Sequence, residues 1–321
     1  MRGPRRAPAG PPRPIPKAAS DAFRLARRRR LLARRVAGVL VLFSIVALFS
    51  FVALVHGAPF SGSGQVRPAS PVEAGVLPVP PEPLPPDMGQ VWADALTRDP
   101  SPDLATGGGV GTSGNRVALT FDDGPDPRTT PLILDTLRDR GVRATFFVVG
   151  GQVAENPGLL RRMVAEGHAV GNHTYGHADM SGLSAGQMRG ELRSTQEAVD
   201  DALGYHHPMA LMRPPYGNPY IDGSNALPAF RGVVREQGLF PVMWTVDPSD
   251  YLLSDDPDGV VRAVAHADET ERKGEADEVV LLHDNQPQTA EALPEIIDRY
   301  EKSGRRFAGV DELLADKYLG P

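Results

Sequence analysis

The sequence predicts an α/β fold with a largely parallel sheet, preceded by a transmembrane helix and a Pro/Gly-rich linker. Three observations lead there. Residues 36–55 form an uncharged apolar run, residues 57–115 are rich in Pro, Gly and Ser, and from residue 116 onward short apolar runs alternate with amphipathic stretches. The segments so defined are a basic tail (1–35), a membrane anchor (36–56), a flexible linker (57–115) and a folded domain (116–321).

Charge separates the first of these from the rest. Residues 1–35 hold 12 Lys or Arg and one acid, Asp21, a net of +11; taking this from the whole-chain −6 leaves −17 over the remaining 286 residues. The apolar run that follows carries Phe43, Phe49 and Phe51 among Val, Leu, Ile and Ala. Its 20 residues would rise about 30 Å as a helix, enough to cross a bilayer's hydrocarbon core. Arg27, Arg28, Arg29, Arg30, Arg34 and Arg35 lie just before it. The positive-inside rule then puts the amino terminus in the cytoplasm and everything past His56 outside, as a single-pass cell-membrane protein. A cleaved signal has a shorter apolar region, about 7–15 residues, and residues 55–58 make a poor cleavage site. The basic run reads as the flank of an export signal rather than as a nucleic-acid arm. The absence of cysteine excludes disulfides and Cys-based zinc sites.

Residues 77–86 are largely proline, and Gly107, Gly108 and Gly109 follow. Such a stretch buries too little surface to fold and fits a semi-extended spacer; residues 90–96 could form one helical turn within it.

In the folded domain the expected strands are 117–121, 144–149, 168–171, 210–212, 240–244 and 279–282. Thr130-Pro131 reads as an N-cap followed by proline at the first helical position, opening a helix to about Arg140. Met188, Leu192, Thr195, Val199 and Leu203 mark an amphipathic helix. Asp256-Pro257 opens another, and residues 291–302 look helical. Strand–helix alternation favours a parallel sheet, open or closed into a barrel.

Five polar clusters fall at or just past the carboxyl ends of these strands: Asp122 and Asp123, His173 and His177, Arg213 and Tyr216, Asp247 and Asp250, His283 and Asp284. That end is where ligands and chemistry sit in parallel α/β folds. Two histidines four apart project from one side of a helical turn and can grip a metal, with a carboxylate of the Asp pair as third ligand; the same pair also fits a surface turn. Asp-Asp-Gly-Pro is likewise good turn chemistry. His283, emerging from a buried aliphatic run, gains weight only if an acid is needed there. His56, His168, His206, His207 and His266 read as structural or surface residues.

Taken together, the clusters resemble the polysaccharide deacetylase family (the NodB-homology domain, carbohydrate esterase family four) over about residues 116–314. The matching stretches are Leu119-Thr120-Phe121-Asp122-Asp123-Gly124-Pro125 with Thr145-Phe146-Phe147, then Gly171-Asn172-His173-Thr174-Tyr175-Gly176-His177, Arg213-Pro214-Pro215-Tyr216-Gly217, Trp244-Thr245-Val246-Asp247-Pro248-Ser249-Asp250-Tyr251, and Leu281-Leu282-His283. The resemblance implies a distorted (β/α) barrel that removes N-acetyl groups from a cell-envelope polysaccharide such as peptidoglycan or a chitin-like polymer. It implies a divalent metal, usually zinc with cobalt or another transition metal as alternatives, held by Asp123, His173 and His177. Asp122 would be the catalytic base held by Arg213, and His283 the acid tuned by Asp250. The Tyr216 N–H would bind the oxyanion, and Leu281 would line the acetyl pocket. One departure is visible: Tyr251 stands where the family's fourth motif usually has tryptophan, which implies altered sugar stacking. The same residues could run an O-acetyl esterase. A silent glycan-binding module would lack one of the groups, and a non-haem iron oxygenase, which also uses two histidines and a carboxylate, has no call for the extra acid and base.

Overall fold

The computed structural model describes residues 115–271 and 277–319. The basic tail, the expected membrane span and almost all of the linker lie outside the described residues. Among the described residues no helix is long and apolar enough to cross a membrane.

The elements alternate as expected. β1 (Arg116–Asp122) leads to α1 (Thr130–Arg140), then β2 (Thr145–Val148), α2 (Gly150–Glu155) and α3 (Pro157–Ala165), with β3 (Ala169–Asn172) next. α4 (Ala185–Leu203), β4 (Leu211–Met212), α5 (Leu227–Glu236) and β5 (Phe240–Pro241) follow, then α6 (Pro257–Glu271), β6 (Glu278–His283), α7 (Pro287–Lys302), β7 (Arg306–Phe307) and α8 (Val310–Leu319). The sheet runs β5-β4-β3-β2-β1-β6, with β7 also on β1. All pairings are parallel. A parallel bridge from Val246, past β5, to Val280 of β6 brings the far edges toward each other, an arrangement consistent with a barrel.

β1 is flanked by β2 and β6 and buried along nearly its whole length, which is why it reads as a continuous apolar run rather than an alternating one. Phe121 stacks on Phe146 of β2 at 5.1 Å between centroids. The α4 stripe is buried at all five residues expected from its spacing, and the helix opens with a capping box between Ser184 and Gln187. α6 opens on Asp256, whose Oδ1 accepts the Gly259 N–H at 2.7 Å.

Two expectations need correction here. The cap of α1 is Thr129, not Thr130, and makes no side-chain cap bond. Both hydroxyls instead serve Asp284: Thr129 donates to its carbonyl, and Thr130 donates to its Oδ2 at 2.7 Å. The fifth strand is two residues, because the chain leaves β4 after Pro241 and later docks on β6. The pattern also missed α2, α3, α5, α8 and the two-residue β7, all short elements in which propensity is a weak signal.

Candidate active site

Parallel register sets the layout. Asp122 ends β1 directly opposite His283, the last residue of β6, so their side chains emerge from neighbouring strands at one level. His173 and Arg213 come immediately after β3 and β4. The expected clusters therefore meet at the carboxyl end of the sheet.

Arg213 is fully buried. Its Nη1 donates to Asp122 Oδ1 and Thr120 Oγ1, both at 2.8 Å. Nε and Nη2 donate to the Val242 and Met243 carbonyls at 3.0 and 3.2 Å, and the guanidinium lies 4.2 Å over the Phe147 ring. A charge so deep persists only when paired and hydrogen-bonded, and here it fixes one oxygen of Asp122. The other, Oδ2, is left 3.8 Å from His173 Nε2.

His173, His177 and Asp123 bring one donor atom each within 4.8 Å of one another. His173 Nδ1 lies 2.7 Å from the Arg213 carbonyl, which can only accept, so Nδ1 carries a proton and Nε2 faces the carboxylate. Asp123 Oδ1 lies 3.5 Å from that Nε2 and 3.0 Å from His177 Nε2, yet it is buried without a well-formed hydrogen bond. Ligand bonds of about 2.0–2.2 Å around a tetrahedral ion put neighbouring donor atoms roughly 3.3 Å apart. Two imidazoles and a carboxylate at this spacing thus fit a divalent transition metal. Burial pushes the Asp123 carboxyl up, but close contact with the two imidazoles and their charge outweighs this and holds it well below the usual range. A cation would compete with protons for these ligand atoms, which makes affinity pH-dependent.

The two histidines are not on a helical turn, contrary to the expectation from their spacing. They sit in a loop with positive φ at Thr174 (66°) and His177 (54°), and their rings lie 5.0 Å apart. The loop is pinned from three sides. Asn172 Oδ1 accepts the Thr174 N–H at 2.9 Å. Glu191 of α4 accepts the Tyr175 and Gly176 N–H groups at 3.0 and 2.8 Å. Gly150 of α2 packs so closely that an added Cβ would meet Tyr175 Cδ2 at 2.7 Å. Among the described residues six non-glycine positions have positive φ, and five of them, Asp123, Thr174, His177, Tyr216 and Ser249, lie in the expected motifs. Such strain collects where the surroundings over-determine a functional geometry.

On the other side, Asp250 is fully buried. Its Oδ1 lies 2.6 Å from His283 Nδ1, and its Oδ2 accepts the His283 N–H at 2.8 Å and the Thr289 hydroxyl at 2.6 Å. Burial pushes the His283 imidazole down, but the hydrogen bond and charge of Asp250, helped by Asp122 and Asp123, raise it to about 9. At neutral pH it holds a proton. Tyr216 and Tyr251 stand exposed at the rim, edge-on to His177 and His283 at 4.8 and 5.3 Å. Leu281 is buried on β6. Asp247 accepts the Ser249 N–H at 2.8 Å.

Sequence reasoning missed the supporting residues. Asn172 stands within its motif without an assigned role, and Glu191, Thr289, Asn285 and Gln288 carry no spacing signal, although Asn285 stands two positions past a strand end. Asp284 was grouped with His283 without a task. It is buried beneath Gly124, where a Cβ would fall 1.9 Å from its Oδ2. Burial pushes its carboxyl up to about 8, against the Thr130 hydrogen bond and with the charges of Asp123 and Asp122. It is therefore a neutral support for the Asp-Asp-Gly turn at pH 7.

Residues 109–227 match the family model described as polysaccharide deacetylase. A peptidoglycan-N-acetylglucosamine deacetylase of Bacillus cereus is 36% identical over 207 residues, 63% of this chain and 89% of the relative. One of Listeria monocytogenes is 37% identical over 202 residues, 63% of this chain, and the match spans only 39% of that relative's length. Among solved structures, a family 4 carbohydrate esterase from Streptomyces lividans in complex with acetate aligns with a TM-score of 0.51 and 36% identity, over 62% of this chain and 93% of the other.

Proposed function

Because the chain belongs to the polysaccharide deacetylase family, we propose that it removes N-acetyl groups from a cell-wall polysaccharide, with peptidoglycan N-acetylglucosamine as leading substrate and chitin-like polymers as the alternative. The observation that carries this is the in-register pairing of Asp122 with His283 across β1 and β6, beside the Asp123, His173 and His177 donors. That pairing supports a proton acceptor and a proton donor acting beside one cation site.

A divalent cation held by Asp123, His173 and His177, zinc by donor chemistry, would supply Lewis acidity, lowering the pKa of water and polarising the acetyl carbonyl. Asp122, fixed through Oδ1 by Arg213, takes the proton of the attacking water on its free oxygen. The Tyr216 N–H, at a positive-φ position (62°) just past β4, donates to the oxyanion. His283, charged at neutral pH, passes its proton to the departing sugar amine, and Asp250 stabilises the charged imidazole. Leu281 lines the acetyl pocket and Tyr251 stacks on a sugar ring. The Val246–Val280 bridge supports closure of the sheet as a distorted barrel, and the uncharged run 36–55 behind a basic flank supports anchoring outside the cell membrane.

The test is acetate release from purified peptidoglycan by the full chain, after chelation and again with Zn²⁺ added. Release that chelation abolishes and Zn²⁺ restores is expected. Release indifferent to chelation, or none from peptidoglycan and chitin oligomers alike, overturns the reading. The likeness to a carbohydrate esterase supports an O-acetyl alternative, which faster release from O-acetylated xylan would favour.

A further inference from the structure

Directly after His283 the chain reads Asp284-Asn285-Gln286-Pro287-Gln288, and three of these side chains are amides connected in series. Asn285 Nδ2 donates to Asp123 Oδ2 at 3.2 Å. Gln286 Nε2 donates to Asn285 Oδ1 at 2.8 Å. Gln288 Nε2 donates both to Gln286 Oε1 at 3.1 Å and to the Asp250 carbonyl at 3.0 Å. Both ends of the series are groups that only accept, a carboxylate and a carbonyl. The orientation of every amide is therefore dictated from outside, because turning any one over would set oxygen against oxygen.

The three bonds from Gln288 through Gln286 and Asn285 donate toward Asp123, while Gln288 also donates the other way, to the Asp250 carbonyl. Amides aligned along those three bonds polarise one another in the same direction. The consequence is local to one carboxylate. With Oδ2 occupied by Asn285, Oδ1 is the oxygen left for His173 and His177. The far end grips the backbone of Asp250, the residue that hydrogen-bonds His283. We propose that Asn285, Gln286 and Gln288 form an amide relay that positions the Asp123 carboxylate for a divalent cation and ties it to the turn carrying Asp250. The proposal rests on the cation site of the preceding section. Asn285 is a positioning residue with no contact to the reacting atoms.

The experiment is titration of the full chain with Zn²⁺ and Co²⁺ against a chromophoric chelator, wild type first. A wild type that binds neither cation defeats the cation site itself, and the relay with it. Given binding, Asn285→Ala is expected to weaken affinity by about 10–100-fold, as loss of a ligand's hydrogen-bonding support does elsewhere, with a changed Co²⁺ absorption spectrum. Gln286→Met keeps the side chain's length and loses the donor, and should weaken binding by less; Gln288→Met should weaken it less again. The metal-free melting temperature should stay constant across the series. Affinity of Asn285→Ala within about twofold of wild type, against the expected loss, overturns the relay while leaving the cation site standing. Equal losses at all three positions, tracking a falling melting temperature, overturn it as well. If Asn285→Ala does not fold, Gln286→Met, at a half-buried position, decides by the same readout.

Discussion

The two rims of the sheet use the same residue types to opposite ends. At the amino-terminal rim, charges meet complementary partners. Arg116 Nη2 pairs with Asp277 at 2.9 Å, and Arg143 reaches both Asp311 at 2.7 Å and the Gly167 carbonyl at 2.7 Å. At the carboxyl-terminal rim, by contrast, Asp122 and Asp123 are adjacent, and Asp123 faces two imidazoles whose nitrogens, once deprotonated, offer only lone pairs. Each charge of the first kind is matched where it stands, Asp277 in a buried position and Asp311 in a partly buried one. The second arrangement is unfavourable until a proton or a cation enters it. Arg213 complements Asp122 there and Asp250 complements His283, so the missing complementarity is that of Asp123.

The comparison breaks first at Asp122. Asp122→Asn keeps an oxygen for Arg213 but cannot take a proton at neutral pH. We expect acetate release to fall by about 10²–10⁴-fold with little change in melting temperature. Activity within tenfold of wild type would mean that Asp122 belongs with the supports.

Asp250→Asn tests the acid half. His283 is raised to about 9 chiefly by Asp250 acting against burial, so without that charge the imidazole loses its proton at lower pH. The alkaline limb of the rate profile should move down toward the usual histidine range of about 6.5, so the variant loses more activity at pH 8 than at pH 6. A limb that stays in place would remove His283 from the acid role.

Much of this layout was legible in the sequence because strand ends are easy to find. Val279-Val280-Leu281-Leu282 announces a buried strand and His283 its end, and the same logic located Asp122, His173 and Arg213. What was not legible was how the chain bends after a strand. The spacing of His173 and His177 reads as a helical turn, yet Thr174 and His177 adopt positive φ, which depends on Glu191 and Gly150 from distant helices. Asn285 escaped notice for a similar reason: its partner is 162 positions away, and nothing in its neighbourhood distinguishes it from a polar residue before a helix.

His168 sharpens the contrast from the other side, because it is a buried histidine at the amino-terminal rim that should matter to stability and not to chemistry. Its Nδ1 accepts the Ala144 N–H at 3.2 Å, so that nitrogen must stay unprotonated for the bond to persist. Burial, with the charges of Arg143 and Arg162, lowers its pKa from 6.5 to about 4. The unfolded chain then takes up a proton before the folded one does. The contribution of neutral His168 is complete above pH 6.5 and is lost as the pH falls toward 4. Between pH 7 and pH 5 this amounts to about 2 kcal/mol. In His168→Gln, stability should fall less steeply over that range, by roughly the same 2 kcal/mol, as read from urea unfolding at the two pH values, while acetate release at pH 7 changes little. If wild type and variant lose stability in parallel, His168 does not titrate as a buried neutral group.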